Sequence, residues 1–216
     1  MNTLTLVIGN KNYSSWSLRP WLALSMTGAS FEEVRIPLYE SGSASRIQTY
    51  SPAGKVPVLI DGALVVWDSL AICEYLAERF PATRLWPAEV ETRAAARAVS
   101  AEMHAGFGAL RNEMPMNVRS SRPGLALSPA AHGDISRVLA SWHALRARHR
   151  GDGRFLFGGF SIADAMYAPV VLRFRTYGVD CGPSTDYADA VLALEPMQRW
   201  VADAQAERET IDAFER

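Results

Sequence analysis

Only two cysteines, Cys73 and Cys181, occur in the 216 residues, far apart and outside any CxxC pair. That excludes a disulfide framework and a thioredoxin-type redox pair, and it suits a reducing compartment. HExxH and paired CxxC spacings are absent, so no metal is expected. So are a P-loop and GxGxxG, which removes the common nucleotide-binding signatures. Charge of one sign is lacking too. Lys and Arg number 22 against 23 Asp and Glu, for a net charge of -1. Nothing in that balance pulls the chain toward nucleic acid or an anionic membrane. No apolar run reaches the roughly 18 residues a membrane helix needs. The start, MNTLTLVIGN, has no basic stretch ahead of a long apolar core, so a secretory signal is not expected. The expected location is the cytoplasm.

What is present is a globular composition, 49% apolar and 21% charged. LTLVIG (4–9) reads as a buried strand ended by glycine. Residues 18–27 have helical spacing, and Gly28 supplies a stop. FEEVRIPL (31–38) alternates like a strand, with Pro37 at its end. ASRIQTYSPAG (44–54) reads as a short helix or loop. VPVLID (56–61) and ALVVW (63–67) flank a DG turn as a hairpin. DSLAICEYLAERF (68–80) is a helix with Asp68 as N-cap candidate. This order predicts a mixed four-stranded sheet with helices. PATRLWPAEVE (81–91) carries two prolines and reads as a linker. Beyond it only helices are expected, over 89–114, 128–149 and 161–178, with a pair over 186–207 broken near Pro196.

Three stretches carry chemistry. In GNKNYSSWSLRPWLAL (9–24), a proline sits without cost only in a first helical turn, so Pro20 sets the helix start near Ser17. Ser14 and Ser15 then stand at the end of the first strand, facing a helix N-terminus that favours negative charge. Strand ends are also where α/β sheets bind ligands. The simpler reading makes Ser15 or Ser17 an N-cap. In AGKVPVL (53–59), Pro57 is either an ordinary strand-start proline or a cis one, a form taken by about 5–6% of X–Pro bonds. A cis bond would present the Val56 N–H and C=O to an extended peptide. In WDSLAI (67–72), capping alone explains Asp68 and Ser69. Alternatively, the carboxylate holds an ammonium while the hydroxyl and helix N–H groups hold a carboxylate.

Together YSSWSLRPWLAL, SPAGKVPVL and DSLAICEYL resemble the glutathione S-transferase family, in particular its zeta class and bacterial relatives. FSIADAMYAPVV (160–171) is similar to the family's capping box in the helical half. The resemblance covers the whole chain. It implies a thioredoxin-like glutathione-binding domain (1–80), a linker (81–88) and an all-helical electrophile-binding domain (89–216). It also implies glutathione as co-substrate, a small electrophile as second substrate, no metal, and a homodimer. Ser14 is then the hydroxyl for the glutathione sulfur, with Ser15 beside it and Tyr13 as a rival. Lys55 meets the glycyl end, Val56 pairs with the cysteinyl part, and Pro57 is the cis-proline. Asp68 meets the γ-glutamyl amine and Ser69 its carboxylate. Ser161 and Asp164 match the capping box, which makes Asp164 structural. Trp16 stands where the zeta class has a cysteine, a departure that counts against carrying over cis–trans isomerisation of maleylacetoacetate and that removes a thiol capable of mixed disulfides.

The electrophile pocket is expected along the first long helix, at Met103, His104, Phe107, Arg111 and Met114, although such stripes are usually core. Arg173 and Arg175 either clamp an acidic substrate or form helix-end ion pairs. His132, His143 and His149 are expected to be exposed. The implied activity is thiolate transfer from glutathione. The alternatives are glutathione-dependent isomerisation or peroxide reduction, and a non-catalytic interaction or ligand-carrying module.

Overall fold

The computed structural model describes residues 3–215. The first part is built as β1 (Leu4–Ile8), α1 (Ser15–Met26), β2 (Phe31–Arg35), α2 (Ser43–Gln48), β3 (Val58–Asp61), β4 (Leu64–Trp67) and α3 (Ser69–Arg79). The sheet order is β2-β1-β3-β4, with β1 parallel to β2 and antiparallel to β3, and β4 antiparallel to β3. Period-two alternation decides which face each residue joins. Leu4, Leu6, Ile8 and Leu59 enter the main core with α1 and α3. Val7 and Val58 turn to a smaller cluster with Ile36 and Ile47 of the α2 side.

Among the described residues six α-helices follow: α4 (Val90–Ala105), α5 (Gly108–Glu113), α6 (Pro129–His149), α7 (Ile162–Tyr177), α8 (Thr185–Leu192) and α9 (Glu195–Ala206), with short 3-10 turns at 81–83, 150–152, 182–184 and 212–214. The predicted architecture, a mixed four-stranded sheet followed by helices, is the observed one. The proline-rich connection is no loose tether. Leu85 and Trp86 are buried, Trp86 Nε1 donates to Glu74 at 2.9 Å, and the Leu85 C=O accepts the Ile162 N–H.

Two expectations about helix ends fail. The helix expected over 89–114 is broken at Gly106 and Phe107. Phe107 takes φ 59°, and a Cβ on Gly106 would lie 2.8 Å from the Glu102 carbonyl oxygen. The apolar spacing runs through the break, so periodicity could not reveal it. In α1 the cap is Ser14, not Ser15 or Ser17, and the helix starts at Ser15. Pro20 therefore falls in the second turn, where it removes one intrahelical bond. Burial offsets that loss: Leu18, Leu22, Ala23 and Leu24 are fully enclosed, at roughly 1.5–3 kcal/mol for each large apolar side chain.

The helix α7 is the axle of the structure. Every residue except Arg175 is buried, which requires a helix apolar on all sides. It packs against both α1 and α4. Its start is a capping box. The buried Asp164 carboxylate accepts the Ser161 N–H (2.8 Å), the Leu156 N–H (3.0 Å) and the Ser161 hydroxyl (3.0 Å). Asp164 thus has a structural setting, as expected. Burial pushes its carboxyl up to about 6 against those bonds. A carboxyl raised in the fold stabilises it fully below the unfolded value near 3.8, and that contribution is lost as pH rises through about 6. Asp164→Asn should therefore remove a stability loss on the order of 3 kcal/mol between pH 4 and 6. Urea melts of both proteins across that range measure it.

Candidate active site

Two adjoining clefts open where the sheet's strand ends meet the helices. The larger, of about 790 Å³, includes Ser14, Ser15, Tyr39, Arg111, Arg173 and Phe214 in its walls. The smaller, of about 480 Å³, includes Lys55, Val56, Pro57, Trp67, Asp68 and Ser69. Trp16, Lys55 and Val56 belong to both, so the clefts form a continuous bent groove. Both volumes lie in the range of roughly 300–1,000 Å³ used by small-ligand sites.

Ser14 caps α1. Its hydroxyl donates to Ser17 Oγ at 2.7 Å, and Ser17 Oγ also accepts the Gly9 N–H at 3.1 Å. Its oxygen accepts the Ser17 N–H at 3.4 Å, a long bond. Hydroxyl hydrogens rotate at little cost, so a ligand acceptor can reverse this Ser14–Ser17 pair. Ser17 then backs Ser14 as donor, with the Gly9 N–H behind it. The Trp16 N–H, at the helix N-terminus, takes no partner among the described residues. Ser15 is tied elsewhere: its Oγ accepts Arg173 Nη2 at 3.2 Å. Tyr13 is spent. Its hydroxyl accepts Arg119 Nη2 (2.8 Å) and the Ile211 N–H (3.3 Å) and donates to the Glu215 carboxylate.

In the smaller cleft the Val56–Pro57 bond is cis. The Val56 N–H and C=O take no partner among the described residues, which leaves an edge free for an extended peptide. Asp68 is the N-cap of α3. Its Oδ1 accepts the Leu70 N–H at 2.8 Å, and His104 Nε2 lies 3.3 Å from its Oδ2. Asp68 also takes φ 72°, a conformation few non-glycine residues adopt. Beside it the buried Ser69 hydroxyl has no partner among the described residues. A carboxylate, an unpaired hydroxyl, a helix N-terminus and a free backbone edge match the polar groups of a zwitterionic peptide.

The Arg19 and Arg111 guanidinium groups lie over the Trp16 ring and Arg173 lines the same cleft, and among the described residues none of the three forms an ion pair. Arg173 is 4% exposed; its Nε donates to the Met114 C=O at 2.7 Å, while its Nη1 has no partner. Burial and then Arg111 push Arg173 down to about 10. Burial likewise lowers Arg111, whose Nη1 donates to the His104 C=O at 3.1 Å. Arg19 is fully buried, with its Cζ 4.2 Å from the Trp16 ring centre and all three nitrogens unpartnered. Burial first, then Arg173 and Arg111, push it down to about 9. Buried cations without counter-charges are costly, and an anion in the cleft would relieve the cost.

Several expected pocket residues lie elsewhere. Met103, Phe107 and Met114 are buried in the main core and do not line the larger cleft. His104 reaches Asp68 and packs edge-to-face on Trp16, and it too is outside that wall. Arg111 alone of the five lines it. Of the two α7 arginines, Arg173 enters the cleft and Arg175 is exposed. His132 is exposed as expected, whereas His143 and His149 are half-buried. Tyr39, Met116 and Phe214 were missed because they sit in loops and the tail, where no periodicity marks a wall. Arg19 had a usable signal, an arginine within an otherwise apolar helical run. Among the described residues no group of three His, Cys, Asp or Glu is placed to hold a metal ion, and no helix is long and apolar enough to cross a membrane.

Comparison with known proteins adds to this geometry. A family model described as "Glutathione S-transferase, N-terminal domain" matches residues 13–79. Rat maleylacetoacetate isomerase is 30% identical over 193 residues, covering 86% of this chain and 87% of the relative. Maleylpyruvate isomerase of a Ralstonia species is 29% identical over 182 residues, covering 80% and 86%. A glutathione transferase homologue from Burkholderia, solved with bound glutathione, superposes with a TM-score of 0.73 at 25% identity, covering 96% of this chain and all of that one. A maleyl pyruvate isomerase described as a bacterial zeta-class glutathione S-transferase has the same TM-score at 26% identity, covering 95% of this chain and 100% of that one.

Proposed function

Because the chain belongs to the glutathione S-transferase family, we propose that it binds glutathione in the smaller cleft and directs its thiolate at an acidic electrophile in the larger one. In this reading residues 1–80 bind glutathione, 81–88 link, and 89–216 complete the electrophile site, within a homodimer in the cytoplasm. The observation that carries it is the shared groove. The Ser14 hydroxyl and the unpaired Arg173 cation open on the same cavity, which runs on to Val56.

The residues fit the tripeptide. Asp68 holds its ammonium, Ser69 and the α3 N-terminus its γ-glutamyl carboxylate, and Val56 its cysteinyl backbone, while Lys55 attracts the glycyl carboxylate. Bound there, glutathione supplies a sulfur nucleophile that adds to the electron-poor carbon of a conjugated double bond, the π pair moving to the activating oxygen, and that in an isomerisation leaves again with its electron pair. The chain's part is to keep that sulfur ionised and the electrophile oriented. A free thiol has a pKa of about 8.5, and each unit of lowering requires about 1.4 kcal/mol. A hydrogen bond to a charged acceptor contributes roughly 1.5–3 kcal/mol, and a helix N-terminus about 0.3–1. Ser14 and the free Trp16 N–H together account for a lowering of about one to three units. Arg173 and Arg111 hold the electrophile's carboxylate and draw electron density toward it.

Isomerisation of an acidic conjugated substrate is the favoured reaction, supported by the named isomerase relatives. It returns the sulfur unchanged and needs no other acid or base from the chain. The test is turnover of cis-configured unsaturated diacids with catalytic glutathione, followed by NMR. Product formation without glutathione consumption supports the reading, and stoichiometric consumption would make the protein a conjugating transferase instead.

Asp68 offers a separable test of the glutathione half. Asp68→Asn keeps an oxygen for the Leu70 N–H but removes the charge. Asp68 is partly exposed, so the loss is modest. The glutathione dissociation constant should rise about fivefold to tenfold, on the order of 1–1.4 kcal/mol, with the melting temperature unchanged. Calorimetry reads the first and a thermal melt the second. A lowered melting temperature with unaltered affinity would make Asp68 a cap and nothing more.

A further inference from the structure

The C-terminal segment is not a trailing end. The Glu207 carboxylate accepts the Lys11 N–H (2.7 Å) and the Asn12 N–H (3.0 Å). Arg119 donates to the Glu207 and Glu209 carbonyls, and Arg35 Nη2 holds the Glu209 carboxylate at 2.7 Å. Ile211 is buried and its N–H reaches the Tyr13 hydroxyl. Asn117 Nδ2 donates to the Phe214 C=O at 3.2 Å. The segment is thus fastened along its length to three places: the loop that leads to Ser14 (Lys11, Asn12, Tyr13), Arg35 of β2, and the stretch after α5 (Asn117, Arg119).

Phe214, near its end, lines the larger cleft. Its ring lies 5.7 Å from that of Tyr13 and stands edge-to-face to Tyr39 at 6.2 Å. Tyr39 itself is 78% exposed and held at φ 63°, an uncommon conformation for a large side chain. An aromatic ring displayed in that way on a cleft wall has a face left to be covered. Trp16 completes the set, also partly exposed on the same cavity. Aromatic rings prefer edge-to-face or offset partners, so such a wall selects a flat ring over a flexible chain. The Arg173 and Arg111 cations, neither of them in an ion pair among the described residues, line the same cavity.

We infer that the 207–215 segment is the outer wall of the electrophile site and that Phe214 and Tyr39 select an aryl-bearing carboxylic acid, ring against the wall and carboxylate toward Arg173. This rests on the proposed function and narrows it, from an acidic electrophile to an aromatic one. Phe214 acts on specificity and takes no part in ionising the sulfur.

The test uses unreactive probes, so it does not depend on turnover. Calorimetry on the full chain, with and without saturating glutathione, compares 4-phenylbutanoate, hexanoate and 4-phenylbutan-1-ol. The wild type should bind 4-phenylbutanoate at least tenfold more tightly than either of the others. Phe214→Ala should lose the preference for the ring over hexanoate and keep the preference for the acid over the alcohol. Phe214→Tyr should keep both, and Phe214→Leu, in case alanine loosens the segment, should lose only the first. Equal affinities of phenylbutanoate and hexanoate in the wild type, or no binding of either, would overturn the inference. So would an undiminished ring preference in both Phe214→Ala and Phe214→Leu. A separate glutathione titration of the same samples distinguishes the two failures. A wild type that shows no ring preference yet binds glutathione saturably rejects this inference alone, and absent glutathione binding rejects the proposed function.

Discussion

Arg173→Gln is expected to lower kcat/KM for an acidic electrophile by roughly 30- to 5,000-fold while changing that for a neutral one less than about fivefold. The argument begins with burial. Arg173 sits in the all-buried helix α7 with one nitrogen on the Met114 carbonyl, one on Ser15 and one unpaired. A guanidinium so enclosed has already lost its water, so an arriving carboxylate meets a cation with little left to displace. Truncating one partner of such a pair costs about 2–5 kcal/mol, and each 1.36 kcal/mol is a factor of ten. Glutamine can still donate to Met114 or Ser15, so the loss should fall on the charge. Arg173→Lys should recover part of the charge and little of the fork geometry. Equal losses on acidic and neutral electrophiles would mean that Arg173 only braces the loop carrying Ser15.

Ser14→Ala should lower turnover of any electrophile about 8- to 30-fold at neutral pH, and the deficit should shrink as pH rises toward 9. The sign follows from the thiol. Without the hydroxyl the bound thiol keeps a pKa near that of free cysteine, about 8.5, so less of it is ionised at pH 7. Raising the pH restores the thiolate and with it most of the rate. Ser17→Ala should give a smaller effect of the same shape, because Ser17 acts through Ser14 and not on the sulfur. The cap contribution of Ser14, about 0.5–2 kcal/mol, will appear separately as a lowered melting temperature. Rate–pH profiles of the three proteins with a neutral electrophile make the comparison. Tyr13→Phe should leave the profile in place, since the Tyr13 hydroxyl is engaged by Arg119, Ile211 and Glu215. A Ser14→Ala profile unaltered at neutral pH would move the role to Ser15.

How far the sequence could be read follows from where each signal lies. The strands and the α3 helix carry their own periodicity, and α7 carries a capping box followed by an apolar run, so their positions were visible without contacts. The serine pair, the Val56–Pro57 strand start and the Asp68–Ser69 helix start are contiguous, and a resemblance could point to each. The proposed electrophile wall has no such local mark. Met103 and Phe107 have the helical spacing of pocket residues, yet the chain turns at Gly106 and their side chains join the core. Tyr39 and Phe214 meet only because the tail folds back to Arg119 and Asn12, pairings between residues remote in sequence. Arg173 and Arg175 looked equivalent at sequence level. Two positions of offset on a helix, about 200° of rotation, turn one into the cleft and the other to solvent. Pro20 misled for a local reason. A proline in a second turn costs a hydrogen bond, and only the burial of Leu18, Leu22 and Leu24 makes it tolerable.

The measurement that tests the central claim most directly is the ultraviolet absorbance of the thiolate against pH for glutathione bound to the wild type and to Ser14→Ala. The account predicts saturable binding in both, an apparent thiol pKa between about 5.5 and 7.5 in the wild type, and a return toward about 8.5 in the variant. Saturable binding with a thiol pKa near 8.5 in the wild type would contradict it, because the groove would then hold glutathione without activating it.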